Sequence, residues 1–149
     1  MAQRQFASGD TSTWTDGYGN GSAGATTIST NTTEGVTDSA CTGTSGTTSL
    51  SATNASFATG QIILIHQTRG TGAGAWELNK ISSYAAGTIT TSYDLTNTYN
   101  TGAQVRAVAQ NSAFTVDSGI TWTAKAWDGS VGGIIVVLCD GTTTITGSI

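Results

Sequence analysis

Residues 114–149, FTVDSGITWTAKAWDGSVGGIIVVLCDGTTTITGSI, indicate the fold class of this 149-residue chain. Three strand-like pieces lie in this stretch, at residues 114–116, 134–138 and 143–149, and segments containing Gly and Asp separate them. The piece at 134–138 belongs to the longest apolar run, which predicts a strand buried on both faces. The piece at 143–149 is predicted to complete its pairing outside this chain or on a continuation of it.

The composition favours the same class. Charged residues make up 9% of the chain, against about 25% in an average globular domain. The chain has 20 Gly and no Pro, and Thr, Ser and Asn are abundant. Thr is β-branched and suits a pleated, half-solvated surface, whereas strong helix formers are scarce. The prediction is therefore an all-β protein.

Charge and hydropathy exclude several functional classes. The net charge is −4 and the five Lys and Arg residues are scattered, which argues against nucleic-acid partners. No stretch approaches the roughly 20 apolar residues of a membrane helix. MAQRQF at residues 1–6 lacks the apolar core of a secretory signal. A composition suited to an exterior, combined with synthesis in the cytoplasm, favours a virus particle, with an extracellular or cell-surface location as the alternative.

The best organised part of the sequence is residues 47–111, where short alternating runs follow one another about every ten residues. Glycine-containing turns separate these runs, which predicts a small β-barrel or sandwich. Residues 68–75 are predicted to be a hairpin loop and Ala86-Gly87 a turn. Trp76 and Trp122 are predicted to be buried.

Residues 1–46 are dominated by Gly, Ser, Thr, Asn and Asp. They predict an extended, mostly irregular arm, with a short strand allowed at 25–30. Trp14 and Tyr18 are its apolar anchors and are predicted to contact a neighbouring subunit. Residues 112–149 then form β-solenoid-like C-terminal strands, so that the predicted order is arm, barrel and solenoid.

The pattern of apolar residues and glycines resembles a known arrangement. The residues that carry the resemblance are GQIILI at 60–65, WELNKISS at 76–83, GTIT at 87–90 and GAQVRAV at 102–108, followed by TVDSGITW at 115–122, VGGIIV at 131–136 and GTTTITGSI at 141–149. The chain from about residue 48 onward resembles the small β-barrel and opening β-helix coils of phage tail fibres, tailspikes and related bacterial surface proteins. The resemblance implies a virion or cell-surface architecture and carries over no catalytic residue.

No residue pattern declares a reaction, so we predict neither an enzyme nor a bound cofactor or metal. His66 would need a nucleophile and a carboxylate beside it to act in catalysis. Asp117, Asp128 and Asp140 recur at similar intervals, but the Gly that follows two of them, and the Ser-Gly that follows the first, indicate turns rather than a catalytic pair.

The glycine-rich segment at residues 70–74 and the two cysteines are both interpreted as structural features rather than functional sites. GTGAG at residues 70–74 precedes a strand rather than a helix, which argues against a phosphate-binding loop. Cys41 and Cys139 are interpreted as two small buried thiols, with a single bridge between them left open.

We therefore expect a structural protein of a bacteriophage virion, either the base of a tail fibre or spike or a decoration protein of head or tail. It would act by oligomeric assembly with copies of itself, as a trimer for example, and with neighbouring virion proteins. The candidate interface residues are Trp14, Tyr18, Thr143, Ile145 and Ile149.

Two alternatives to this function stay open. One is a carbohydrate-binding cell-surface or secreted module, which makes a surface glycan a partner. The other is the N-terminal fragment of a polysaccharide depolymerase.

Overall fold

A computed structural model describes residues 19–149 and contains strands, turns and irregular segments, with no helix in that range. Accordingly, this part of the chain has no helix of the length and hydropathy that crossing a membrane requires. The all-β prediction is confirmed. The strands, in chain order, are β1 Ala25–Ile28, β2 Thr32–Thr33, β3 Asp38–Gly43, β4 Ser49–Ala52, β5 Ile62–Gln67, β6 Trp76–Ala85, β7 Thr88–Thr91, β8 Tyr99–Val108, β9 Gln110–Asn111, β10 Ala113–Val116, β11 Trp122–Thr123, β12 Leu138–Cys139 and β13 Thr143–Ile145.

The described residues divide into two compact units. The barrel unit comprises residues 36–108 and 128–131, and the parallel unit comprises residues 19–35, 109–127 and 132–149. From residue 19 onward, the chain therefore runs through the parallel unit, then the barrel unit, and back to the parallel unit, which residues 128–131 interrupt.

The barrel unit is a closed barrel of six strands in the order β3-β4-β7-β6-β5-β8, with β8 pairing back to β3. Every neighbouring pair is antiparallel. Of the two predicted forms, barrel or sandwich, the structure has the barrel. Closure gives each barrel strand a neighbour on both sides, which removes open sheet edges.

Both predicted connections within the barrel are confirmed. Residues 68–75 join β5 to β6, which pair as an antiparallel hairpin. Ala86 and Gly87 both have positive φ, at 47° and 82°, and connect β6 to β7. Positive φ at both central residues is the requirement of a type I′ turn, whose twist matches that of the strands it joins.

The predicted start of the barrel at residue 47 falls inside its first hairpin. β3 is already a barrel strand and pairs with both β4 and β8. Residues 25–43 therefore contain three strands. β1 lies where a short strand was allowed, whereas β2 and β3 lie where an irregular arm was predicted. The sequence of β3, DSACTG, consists mostly of small polar residues and lacks the apolar alternation that indicates a strand.

The barrel interior is apolar at its centre. In β5, Ile63 and Ile65 face inward and are fully buried. The remaining members of this core are Cys41, Leu50, Ala52, Phe57, Ile81, Ile89, Leu95, Tyr99, Ala103 and Val105. Burial of this many large side chains, at about 25 cal/mol for each Å² of apolar surface, is the main stabilising contribution to the barrel.

The two faces of β6 have the opposite roles from those expected. Glu77, Asn79 and Ile81 are buried, whereas Trp76 and Leu78 are only half-buried. The prediction that Trp76 is buried is therefore wrong, while Trp122 is buried as predicted. Alternation shows that two faces exist, but a single strand does not indicate which face lies inside.

Polar side chains on the inner face of the barrel hold the connection between β7 and β8. Glu77 Oε2 accepts a hydrogen bond from the Thr96 backbone N–H at 2.8 Å. Asn79 Nδ2 and Thr91 Oγ1 both donate to the Tyr93 carbonyl oxygen, at 3.0 and 2.8 Å. These hydrogen bonds fix a loop that is not part of a sheet, although the other carboxyl oxygen, Glu77 Oε1, has no hydrogen-bond partner among the described residues.

Burial changes the acidity of three interior groups. Burial raises the pKa of the Glu77 carboxyl, and hydrogen bonds from the 96–97 backbone offset part of that rise. Burial also raises the pKa of the Tyr99 hydroxyl, with the nearby Glu77 as a second cause. For the Cys41 thiol, burial raises the pKa to about 12. Each of these groups therefore favours its neutral form inside the barrel.

The parallel unit consists of three passes of the chain: the first contains β1 and β2, the second β9, β10 and β11, and the last β12 and β13. Its strands form the sheets β1-β10-β13, β11-β2 and β12-β9, in which every neighbouring pair is parallel. Its core contains Phe114, Val116 and Trp122, and the rings of Phe114 and Trp122 lie 5.0 Å apart between centroids. Ile28 and Ile120 pack against this cluster from its margin.

The predicted strand at residues 134–138 is largely wrong. Only Leu138 lies in a strand, and Ile134 to Val137 are half-buried rather than buried on both faces. Ile135 and Val137 nevertheless pack against the core cluster of the parallel unit. Residues 134–137 are therefore an apolar segment without a ladder, because apolar residues do not by themselves supply a hydrogen-bonding neighbour.

Candidate functional site

The candidate site is the last pass of the parallel unit, which contains three of the five predicted interface residues. Thr143 and Ile145 are the ends of β13, and Ile149 follows four residues later. The other two, Trp14 and Tyr18, lie outside the described residues and stay predictions.

Strand register places Ile145 above the core of the parallel unit. Ile28 is opposite Val116, and Val116 is opposite Ile145, so these three residues form one column across β1, β10 and β13. Side chains in register on parallel strands share a face of the sheet. Val116 is fully buried, whereas Ile145 is 47% exposed. Ile145 is therefore a core-facing residue that no further layer covers within the described chain.

Ile149 occupies the equivalent place in a second column. Thr121 and Ser148 form a parallel bridge, so the following residues, Trp122 and Ile149, lie in register. Trp122 is 6% exposed and Ile149 is 57% exposed. Together with Trp127, Ile145 and Ile149 are the large hydrophobic residues that the described chain exposes. Two of the three thus mark the uncovered end of one core.

Backbone hydrogen bonds hold this exposed pass firmly. Thr146 N–H donates to Val116 O at 3.0 Å, Ser148 N–H donates to Ile120 O at 2.8 Å, and Trp122 N–H donates to Ser148 O at 3.0 Å. Gly147 has no room for a side chain, because a Cβ there would collide with the carbonyl oxygens of Asp117 and Ile120. The last pass is therefore packed closely onto the previous one.

The outer edge of β13 offers unused backbone groups. β13 pairs with β10 on one side, and no residue in the described range 19–149 pairs with its other side. GTTTITGSI at 141–149 contains no charged residue and no proline. Charged side chains and prolines are the usual means of protecting an edge strand, so this edge stays competent to pair.

Two of the aspartates that recur along the C-terminal part of the sequence, Asp117 and Asp128, lie in turns, and Asp128 uses its carboxylate there. Asp128 Oδ1 accepts the backbone N–H groups of Ser130 and Val131, both at 2.9 Å. The Asp117 carbonyl oxygen accepts the Ile120 N–H at 3.2 Å, which closes a turn. These contacts agree with the prediction of turn chemistry.

The cysteines are both free thiols. Cys41 is buried in the barrel, and Cys139 is half-buried in β12. The prediction of unbridged thiols is confirmed, although Cys139 is less buried than expected.

His66 has a partner that the sequence analysis did not assign. Its Nδ1 lies 3.0 Å from Thr68 Oγ1, and Gln104 Nε2 donates to the same hydroxyl at 2.8 Å. The Thr68 hydroxyl therefore joins His66 on β5 to Gln104 on β8, and the tautomer of the imidazole decides which atom donates between Nδ1 and Oγ1. The spacing of His66 and Thr68, two residues apart along an extended segment, was the available signal.

Comparison with known proteins returns few similarities. No protein-family model matches the chain, and no curated protein sequence matches it. One similar solved structure is the tailspike protein gp49 from Pseudomonas phage LKA1, with 10% identity and a TM-score of 0.37 over 60% of this chain and 19% of that chain. Another is the gp54 tailspike of Acinetobacter baumannii bacteriophage AP22 in complex with A. baumannii capsular saccharide, with 9% identity and a TM-score of 0.41 over 83% of this chain and 23% of that chain. The chain spans about a fifth of the length of these two tailspikes.

Proposed function

We propose that this chain is a structural protein of a bacteriophage particle, at the base of a tail fibre or spike or as a decoration protein of head or tail, and that it acts by assembly rather than catalysis. The observation that supports this proposal is the uncovered core at the end of the parallel unit. Ile145 and Ile149 extend the buried columns of Val116 and Trp122 and have nothing above them in the described chain.

The parallel passes are, in this proposal, the opening coils of a β-solenoid. Each pass adds a strand in register to the previous one, as Thr27, Thr115 and Thr144 illustrate on the outer side of the same sheet. Side chains also connect passes, because Thr33 Oγ1 and Thr123 Oγ1 lie 3.1 Å apart. A solenoid exposes its core at each end unless another layer covers it, and terminal layers usually need such a cap.

The magnitudes indicate what the interface must contain. Burying the exposed half of an Ile side chain contributes about 1 kcal/mol, given about 1.5–3 kcal/mol for a fully buried one. Association costs at least about 4 kcal/mol in lost translational and rotational freedom. Ile145 and Ile149 therefore set the register of an interface, and backbone pairing along the edge of β13 must add to them, as in β-augmentation.

The partners proposed here are other copies of the chain, as a trimer, and neighbouring virion proteins. A closed symmetric assembly would cover the exposed layers of all its subunits equally, whereas a head-to-tail contact would continue into a filament. The location follows from the same proposal: synthesis in the host cytoplasm and residence in the virion.

Analytical ultracentrifugation tests this proposal. We expect the unaltered chain to sediment as an oligomer, and the double variant Ile145→Asn, Ile149→Asn to sediment mainly as a monomer with an unchanged circular dichroism spectrum. Thr144→Asn is the matched control, since Thr144 lies on the same strand and on the opposite face. A monomeric unaltered chain, or a double variant that keeps its oligomeric state, would contradict the proposal.

The carbohydrate-binding alternative expects a row of exposed aromatic rings. Within residues 19–149 the exposed aromatic side chain is Trp127, while Tyr84 and Tyr93 are half-buried and Tyr99 is buried.

The depolymerase alternative expects the reading frame to continue past Ile149 with further glycine-rich coils. The gene sequence beyond this residue therefore distinguishes a fragment of an enzyme from a structural protein.

A further inference from the structure

The outer edge of β13 presents a defined row of backbone groups. Thr146 N–H donates to Val116 O at 3.0 Å, so the backbone groups of the even-numbered residues of this strand face β10. Backbone groups alternate between the two sides of a strand, so the N–H and C=O groups of Thr143 and Ile145 point to the outer edge. No described residue pairs with that edge. A further strand would therefore meet two donors and two acceptors there.

The strands of this sheet share a four-residue sequence pattern. The sequences are ATTI at 25–28, AFTV at 113–116 and TTTI at 142–145. Each has Ala or Thr first, Thr third, and a β-branched apolar residue fourth. Register places the third residues in one outer column and the fourth residues in one core-facing column. The pattern therefore describes one layer of the stack.

A similar pattern occurs ahead of β1, in TSTW at residues 11–14, with an aromatic residue in the fourth place. This segment lies outside the described residues, and both Thr and Trp favour strands. AGTI at 86–89 and TNTY at 96–99 also match, but they belong to the closed barrel. Residues 11–14 therefore have the sequence expected of one more layer.

Two aromatic residues of this N-terminal segment, residues 11–18, have the spacing of the two exposed Ile residues. Ile145 and Ile149 are four residues apart and expose about half of their surface. Trp14 and Tyr18 are also four residues apart, and Trp14 is the fourth residue of its pattern, as Ile145 is. When the patterns are aligned, Trp14 lies over Ile145 and Tyr18 over Ile149. Large rings cover such surfaces well, and Trp and Tyr are enriched among the residues that dominate interfaces.

The residues between these two aromatic rings suit the corner of a pass. In the middle pass, the chain turns directly after the core-facing column, where Ile120 N–H donates to Asp117 O at 3.2 Å. Asp16 and Gly17 lie between Trp14 and Tyr18, and Asp-Gly is a turn dipeptide. Asp16 is the one charged residue of the segment, and a place in a turn keeps its carboxylate away from the apolar core.

The exposure of Ile145 and Ile149 is that of a single chain, so a cover for them must come from another molecule. We propose that residues 11–18 of a neighbouring copy add a parallel layer to β13, with Trp14 over Ile145 and Tyr18 over Ile149. This contact rests on the assembly proposed above and identifies the segment that completes it. Each copy donates one segment and accepts one, so a small number of copies can close into a ring.

Sedimentation of full-length variants tests the contact. The double variant Trp14→Asn, Tyr18→Asn should raise the dissociation constant of the assembly at least tenfold. Phe6→Asn is the matched control, because it removes an aromatic residue that precedes the segment, and it should leave the dissociation constant unchanged. A monomeric unaltered chain would overturn the proposed assembly itself. An oligomer that keeps its dissociation constant in the double variant would overturn only the contact with the N-terminal segment.

Disulfide trapping identifies the chain that donates the segment. Thr13 and Thr144 are the third residues of their patterns and would be direct neighbours, at a separation that a disulfide spans. In a Cys139→Ser background, Thr13→Cys and Thr144→Cys chains carrying different tags are co-expressed and oxidised. We expect a covalent dimer with one chain of each kind. Thr13→Cys combined with Ser51→Cys, an exposed position on the barrel, is the control and should give no dimer.

A second arrangement of the same cysteines gives the opposing outcome. When Thr13→Cys and Thr144→Cys are placed in one chain, the contact predicts bridges between chains and a covalent oligomer on a non-reducing gel. A bridge formed within one chain, which migrates as a monomer, would show that the segment pairs with its own chain. That result, or an oligomer without the mixed covalent dimer, would overturn the proposal.

Discussion

The barrel unit and the parallel unit use the same kinds of strand, but their sheets end differently. In the barrel, β8 pairs with β3, so the sheet closes around a core cluster on its inner face. In the parallel unit, β13 has one neighbour among the described strands and its core-facing Ile145 is exposed. Closure therefore gives every barrel strand its neighbours within one chain, whereas stacking leaves a last layer for something else to cover.

Substituting the same residue in both units gives the largest expected contrast. Ile65→Ala in the barrel should lower the free energy of unfolding by about 2–5 kcal/mol, because Ile65 is fully buried. Ile145→Ala should lower that of the isolated chain by less than about 1 kcal/mol, because half of its side chain already meets solvent. Denaturant unfolding followed by fluorescence measures both. Equal losses would mean that the layer containing Ile145 is covered.

A glycine substitution tests whether the last pass is packed as closely as the barrel. Gly147→Ala should lower the free energy of unfolding by about 1–3 kcal/mol, since the new Cβ meets two backbone oxygens that cannot rotate away. Gly35→Ala, in the same unit, has no atom within 4 Å of the new Cβ and should be neutral. The two melting temperatures, measured side by side, decide the matter; a neutral Gly147→Ala would show a loosely held end.

The reactivity of the two cysteines distinguishes the closed barrel, which contains Cys41, from the parallel unit, which contains Cys139. Cys41 is buried with a pKa of about 12, so at pH 8 only about one molecule in ten thousand carries its thiolate, the reactive form. Cys139 is half-buried. Ellman's reagent should therefore label one thiol promptly and the second only on unfolding. The Cys139→Ser variant should show no prompt thiol, and two prompt thiols in the unaltered chain would indicate an open barrel.

Glu77 should make the stability of the barrel depend on pH. Burial raises the folded-state pKa of this carboxyl above its unfolded value, so the neutral form favours the folded state. Its contribution is fully present in acid below the unfolded pKa and is lost as pH rises through the folded pKa. Glu77→Gln should remove this loss and be more stable than the unaltered chain at neutral pH, which unfolding curves across a pH series would show. Parallel curves for the two proteins would contradict the assignment.

Local sequence patterns predicted much of the barrel but not its inner face. The alternation in β5 and β6 and the Ala86-Gly87 turn are properties of neighbouring residues, so the strands and their hairpin were predictable. Which side of β6 lies inside is set by strands distant in sequence. Glu77 and Asn79 face inward, where they hydrogen-bond to the connection at residues 92–98.

The sequence indicated which residues to consider as an interface but not their geometry, and their role as an interface stays a prediction. Thr143, Ile145 and Ile149 were identified from an apolar pattern at the end of the sequence. Their significance depends on registers with Val116 and Trp122, which only the folded passes define. The predicted strand at 134–138 failed for the same reason, since strand formation there required a neighbour that the pattern could not supply.

The order of the units along the chain has a consequence for the kinetics of folding. β1 must find β10, although residues 29–112 lie between them, and closing so long a flexible loop is entropically costly and slow. Within the barrel, however, Asp38 is paired with Arg106, so the first and last strands are neighbours. A folded barrel therefore shortens the effective loop to a few residues at each end.

We expect the barrel amides to become protected before those of β1 and β10 when the denatured chain is refolded. Pulse-labelling hydrogen exchange measures this order directly, and simultaneous protection would show that the two units fold as one. A deletion variant, in which a short linker replaces residues 36–108 and joins residue 35 to residue 109, should pair β1 with β10 without the barrel. Folding of the inserted barrel thus determines when β1 and β10 can pair and when the parallel unit can form.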